Sequence, residues 1–87
     1  MIIGVDPHKL SATIEVVDHQ GHLLGSGRFT TDRVGYTAMR GYVNTWPRRV
    51  WAVEGAGGAG RPLAQRLVAT GERVIDIPAK LAARAGS

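Results

Sequence analysis

Eighty-seven residues with 44% hydrophobic content are enough for one small domain with a core, which excludes wholesale disorder. No cysteine is present, so disulfides and thiolate metal sites are excluded. No apolar run approaches the ~20 residues of a membrane span, and the start Met1-Ile2-Ile3-Gly4-Val5-Asp6 lacks the basic and long apolar regions of a signal peptide, so a cytoplasmic protein is expected. The chain carries 11 Lys+Arg against 7 Asp+Glu, a net charge of +4. Nine of the basic residues are arginine, which suits phosphate contact but equally suits an ordinary solvated surface.

Ile2 to Asp6 is a short apolar run before Pro7, and a residue preceding proline is held extended. Ala12 to Asp18 is rich in Thr, Ile and Val, as strands are. Asp18-His19-Gln20-Gly21 is a turn cluster, and His22 to Thr30 returns as the second arm of a hairpin. Thr31 or Asp32 then caps a helix. Its stripe reads as Val34, Ala38, Tyr42 and Trp46, widened by Met39 and Val43, with Pro47 closing it. Val50 to Glu54 is a continuous apolar run, as expected of a strand covered on both faces. A glycine-rich loop from Gly55 to Gly60 leads into a second helix opened by Arg61-Pro62, with Leu63, Leu67 and Val68 facing inward and Gly71 ending it. Val74 to Ile77 is the last strand, and Pro78 to Arg84 reads as the start of a further helix.

The order is therefore βββαβαβ, an α/β chain with a mixed five-stranded sheet. Three strands joined by short turns are antiparallel neighbours, and two crossover helices add parallel strands. With the fourth strand beside the first, this resembles the ribonuclease H-like arrangement. Two right-handed crossovers in one direction place both helices on one face. The other face, carrying residues such as Val5 and Val53 or their opposite-facing neighbours, is then expected to stay open and to support self-association.

Asp6 ends the first strand and Glu54 the fourth. On parallel neighbours, both carboxylates emerge at the carboxyl edge, where open α/β sheets bind ligands. Paired carboxylates repel unless a cation lies between them, and Mg²⁺ takes hard oxygen ligands. The plain reading is that Asp6 belongs to a turn and Glu54 to a solvated strand end.

Gly4-Val5-Asp6-Pro7-His8-Lys9 with Val16-Val17-Asp18-His19-Gln20-Gly21 resembles the N-terminus of the DEDD insertion-sequence transposases of the "one-ten" family. The block from Trp51-Ala52-Val53-Glu54-Gly55 through Gly60-Arg61-Pro62 to Ile77-Pro78-Ala79-Lys80 is similar to that family's second acidic motif and the helix and strand after it. The resemblance implies a RuvC-like domain acting in DNA transposition and recombination, with Asp6 and Glu54 as its first two acids. It implies Mg²⁺ or Mn²⁺ as cofactor, mobile-element DNA and a structured RNA as partners, and a location at the bacterial nucleoid. The family's third and fourth acids lie in a Lys-Thr-Asp-x-x-Asp-Ala stretch, which this sequence lacks, and the C-terminal serine domain is absent as well. Residues 1–87 are thus expected to be the N-terminal portion of such a domain, truncated before its last helix, with weak metal binding and no independent cleavage of DNA.

Gly55-Ala56-Gly57-Gly58-Ala59-Gly60 also matches G-x-G-x-x-G between a strand and a helix, with Asp76 at the distance of a ribose-binding acid. A small nucleotide-binding domain is the rival reading, although Glu54 would repel a pyrophosphate. The first hairpin further resembles that of actin-like sugar kinases, but Pro7-His8-Lys9 replaces the expected glycine and hydroxyl. For nucleic acid, the candidate contacts are Lys9, Gly57, Gly58 and Arg61. His8 neighbours Asp6 and is open to either a phosphate or a surface role. His19 and His22 have H-x-x-H spacing without a third ligand and read as turn residues. Arg48 and Arg49 read as solvated or RNA-facing, and Trp46 and Trp51 as core.

Overall fold

The computed structural model describes residues 1–77. Its elements are β1 (Ile2–Pro7), β2 (Ser11–Val17), β3 (Leu23–Thr30), α1 (Arg33–Val43), β4 (Val50–Glu54), α2 (Arg61–Ala69) and β5 (Val74–Ile77). The helix expected from Pro78 lies outside the described residues. The strands form one sheet in the order β3-β2-β1-β4-β5. β1 pairs antiparallel with β2, and β2 with β3. β4 runs parallel to both β1 and β5. The molecule is a mixed α/β protein with the fourth strand beside the first, as the sequence pattern predicts.

Local chemistry sets the turns. Asp18 Oδ1 accepts the backbone N–H groups of Gln20 and His22 at 2.9 and 2.8 Å, and Gly21 takes a φ of 85° between β2 and β3. These bonds hold the Asp18 carboxyl below its ordinary pKa, the His22 N–H first among the causes. Of the two candidate caps, Asp32 is the one used. Its Oδ1 accepts the Gly35 N–H and the Thr30 hydroxyl, both at 2.8 Å.

Both helices lie on one face of the sheet. Ile3 and Val5 of β1, Ile14 and Val16 of β2, and Trp51 and Val53 of β4 are buried there with Met39, Val43 and Leu67. Each large apolar side chain buried in this way contributes roughly 1.5–3 kcal/mol. The helices also touch each other. The Tyr36 hydroxyl is 2.7 Å from Thr70 Oγ1, and the Arg66 guanidinium sits 4.8 Å from the centre of the Tyr36 ring.

The stripe of α1 differs from the sequence reading. Val34 is 78% exposed, whereas Gly35, Tyr36, Met39 and Val43 are buried. At 3.6 residues per turn, each step of four overshoots by about 40°, so three steps from Val34 to Trp46 rotate about 120° off the starting face. Alternating steps of three and four stay on it, as Tyr36, Met39 and Val43 do. The helix ends at Val43 with Asn44 as its cap, before Pro47 is reached. In α2, Ala64 joins Leu63 and Leu67 in the core, and Val68 is 60% exposed.

Arg49 is a second correction. Rather than facing solvent, its guanidinium is 12% exposed and pairs with Glu72. Glu72 also accepts from Arg40 Nη2 at 2.9 Å and from Trp51 Nε1 at 2.7 Å. This clamp ties α1, the start of β4 and the segment before β5 together.

The opposite face of the sheet is uneven. Near β1 and β5 it is apolar and open, with Ile2 44% and Ile75 48% exposed. Across β2 and β3 it carries Thr13, Glu15, Ser26 and Arg28, all polar. The expected open face is thus apolar over only part of its area. Val5 and Val53 themselves lie on the covered face. No described helix is long and apolar enough to cross a membrane.

Candidate metal and nucleic-acid site

The β1–β4 pairing runs from Ile2 beside Val50 to Val5 beside Val53, which brings Asp6 and Glu54 to adjacent places at the carboxyl edge. Alternation along each strand puts Val5 and Val53 in the core and both carboxylates toward the open face. The Asp6 side chain is 59% exposed. The Glu54 carboxyl is pushed above its ordinary pKa by burial, by a hydrogen bond with the Asp6 side chain and by the Asp6 charge, with His8 opposing. The pair is therefore close enough to interact, and its second negative charge is resisted.

Such a pair has the donor chemistry of a hard divalent cation, which would relieve that repulsion. Asp6 and Glu54 fit the group as two ligands only. Among the described residues, no set of three or more His, Cys, Asp and Glu side chains comes together. His8 flanks the pair, with Nε2 3.6 Å from Asp6 Oδ2 and 3.2 Å from Thr13 Oγ1. His22 is a turn residue, its Nδ1 3.4 Å from Asp18 Oδ2.

The glycine loop is shaped mainly by its own bonds. Gly55 adopts a φ of 63° and its carbonyl accepts the N–H groups of Gly58 and Gly60 at 2.8 and 2.9 Å. The Arg61 N–H donates to the Gly58 carbonyl, and the Ala56 N–H donates to Asp76 Oδ1 at 2.9 Å. These four amides are thereby committed within the protein, as is the carboxylate that the nucleotide reading assigns to a ribose. Gly60 has a packing role. A Cβ there would stand 2.6 Å from the Glu54 carbonyl oxygen and 2.8 Å from Val53 Cγ1, so only glycine lets α2 start this close to β4.

Gly57, Gly58 and Arg61 are exposed at this loop and the start of α2. Lys9 is exposed at the β1–β2 turn, where it lines a groove of about 240 Å³ with Pro7, His8, Thr31, Pro62 and Arg66. Arg66 and Thr31, the latter read only as a possible helix cap, were not among the candidate contacts read from the sequence. The available signal was helical spacing, since Arg66 follows Pro62 by four and Leu63 by three and shares their face. No family model matches the chain, and no curated protein matches it closely enough to name a relative.

Proposed function

We propose that this chain is the N-terminal portion of a RuvC-like, ribonuclease H-like domain of a DEDD insertion-sequence transposase, acting on DNA in transposition and recombination. The observation that carries the reading is the placement of Asp6 and Glu54 side by side at the carboxyl edge of adjacent parallel strands, with the Glu54 pKa raised in part by Asp6. Support also comes from the strand order β3-β2-β1-β4-β5, which has the antiparallel trio and the parallel pair that such a domain requires.

In this reading Asp6 and Glu54 hold Mg²⁺ or Mn²⁺ as half of a two-metal site. A bound divalent ion supplies charge stabilisation at a phosphodiester and a more acidic water. The protein's own part is to fix two carboxylates on rigid strands, one step beyond a buried Val5–Val53 pair, so that the oxygens are held before the metal arrives. With two acids the affinity is weak, and further ligands must complete the site before DNA is cut.

A Mn²⁺ titration followed by NMR tests this. Paramagnetic broadening should centre on Asp6 and Glu54 and vanish in the Asp6→Asn/Glu54→Gln double variant. Broadening centred on Asp18, Asp32 or Glu72 instead would overturn the assignment.

A further inference from the structure

The groove beside Lys9 lies at the same edge as the carboxylates and differs from them in charge. None of its lining residues is acidic, whereas Lys9 and Arg66 are cationic. Arg66 is held there without a carboxylate partner. Its Nη1 donates to the Thr31 carbonyl at 3.1 Å and its guanidinium lies over the Tyr36 ring. Among the described residues, neither Arg66 nor Lys9 forms an ion pair; the paired arginines are Arg40 and Arg49. The groove thus combines one guanidinium fixed by neutral groups with one free ammonium. The Asp32 carboxylate feels the Arg66 charge without pairing with it, which leaves the groove a net positive charge. Preorganised cations of this kind suit an anion, and arginine suits phosphate in particular. Size narrows the choice. At about 240 Å³ the groove falls below the ~300–1,000 Å³ typical of pockets that enclose a whole cofactor. It accommodates one phosphate group with its flanking atoms rather than a dinucleotide.

We infer that this groove binds a backbone phosphate of a nucleic-acid strand, with Arg66 and Lys9 as the contacting residues and the Thr31 hydroxyl and carbonyl positioning the ligand and Arg66. The inference rests on the transposase reading for its choice of nucleic acid over free nucleotide. His8 links the two places, since it lines the groove and stands 3.6 Å from Asp6. A strand seated by its phosphate in the groove would therefore pass close to the carboxylate pair. Phosphate contacts of this kind fix register and orientation and carry no sequence information.

Fluorescence anisotropy of the full chain with a labelled oligo-dT, in EDTA so that metal plays no part, tests the inference. Lys9→Gln/Arg66→Gln should weaken binding at least tenfold and reduce the log–log salt slope by about 0.7, the value for one neutralised phosphate on a single strand. Arg66→Lys with Lys9 intact keeps the charge while giving up the guanidinium stacking on Tyr36, and should lose less. Amide shifts on adding inorganic phosphate should centre on His8, Lys9, Thr31 and Arg66. An unchanged salt slope in the double variant, or shifts confined to Arg48 and Arg73, would overturn the groove assignment. NAD binding tighter than the oligonucleotide would overturn the choice of nucleic acid. The Asp6→Asn/Glu54→Gln variant separates the two proposals. If it binds the oligonucleotide normally while Mn²⁺ broadening was absent from the parent chain, the metal reading fails and the groove stands.

Discussion

Arg49 grips Glu72 with two parallel hydrogen bonds, Nε to Oε1 at 2.9 Å and Nη2 to Oε2 at 2.8 Å. Both carboxylate oxygens are further shared, Oε1 with Trp51 and Oε2 with Arg40. Four donors on a side chain that is 7% exposed hold its pKa at about 2, against an ordinary 4.5, with Arg49 the leading cause. A depressed carboxylate contributes stability above its unfolded pKa and loses it as the pH falls through the folded value. The contribution is thus full above about pH 5 and disappears toward pH 2. Its size is on the order of 3 kcal/mol from the shift alone.

Glu72→Gln should therefore lower the stability of the fold by about 2–4 kcal/mol at pH 7 in urea denaturation. The gap between Glu72→Gln and the parent chain should narrow as the pH falls from about 5 to about 2. A gap that stays constant over that range would mean the clamp is not electrostatic.

Glu54 works in the opposite direction. Its folded pKa is raised, so the folded state holds the proton more tightly than the unfolded chain does. That stabilisation is full at acid pH and is lost as the pH rises through the folded value. Glu54→Gln should match the parent chain near pH 3 and exceed it slightly at pH 7, by under about 1 kcal/mol because the site is open to water. Asp6→Asn should lower the Glu54 titration midpoint in ¹³C NMR while burial keeps it above the ordinary value. A midpoint indifferent to Asp6→Asn would separate the two carboxyls.

Two glycines in α1 predict opposite outcomes for the same change. A Cβ on Gly35 would collide with the Thr30 carbonyl and hydroxyl, whereas one on Gly41 meets nothing within 4 Å. Gly35→Ala should destabilise by roughly 1–3 kcal/mol as the helix is pushed off β3. Gly41→Ala should stabilise by about 0.5–1 kcal/mol through helix propensity. Equal effects in thermal melts would contradict the seating of α1 on the end of β3.

The open sheet face carries Ile2 and Ile75. An apolar dye should report this patch, and Ile2→Thr/Ile75→Thr should cut its fluorescence at least twofold. Undiminished dye binding in that variant would place the apolar surface elsewhere.

Element order and the edge carrying Asp6 and Glu54 were legible in the sequence. Pro7 after an extended run, the Asp18–Gly21 turn, the cap at Asp32 and the glycines around α2 are local signals, and local sterics and hydrogen bonding decide them. The parallel placement of β1 and β4 then follows from short connections and crossovers. What only the tertiary structure decided were relations between distant side chains. Which side of α1 is buried depends on the Thr30 carbonyl that Gly35 must clear and on where Met39 and Val43 meet the sheet. Arg49 looks solvated in sequence because its partner Glu72 is 23 residues away. The Gly55–Gly60 loop looks like a phosphate cradle until the Ala56, Gly58 and Gly60 amides are seen to be taken by the Asp76 carboxylate and the Gly55 carbonyl. Arg66, distant in sequence from Lys9, became a candidate only when the fold set both on one groove. Sequence spacing carries turns, caps and strand ends because they are made within a few residues. Ion pairs and grooves are made by packing, and packing joins residues that spacing cannot see.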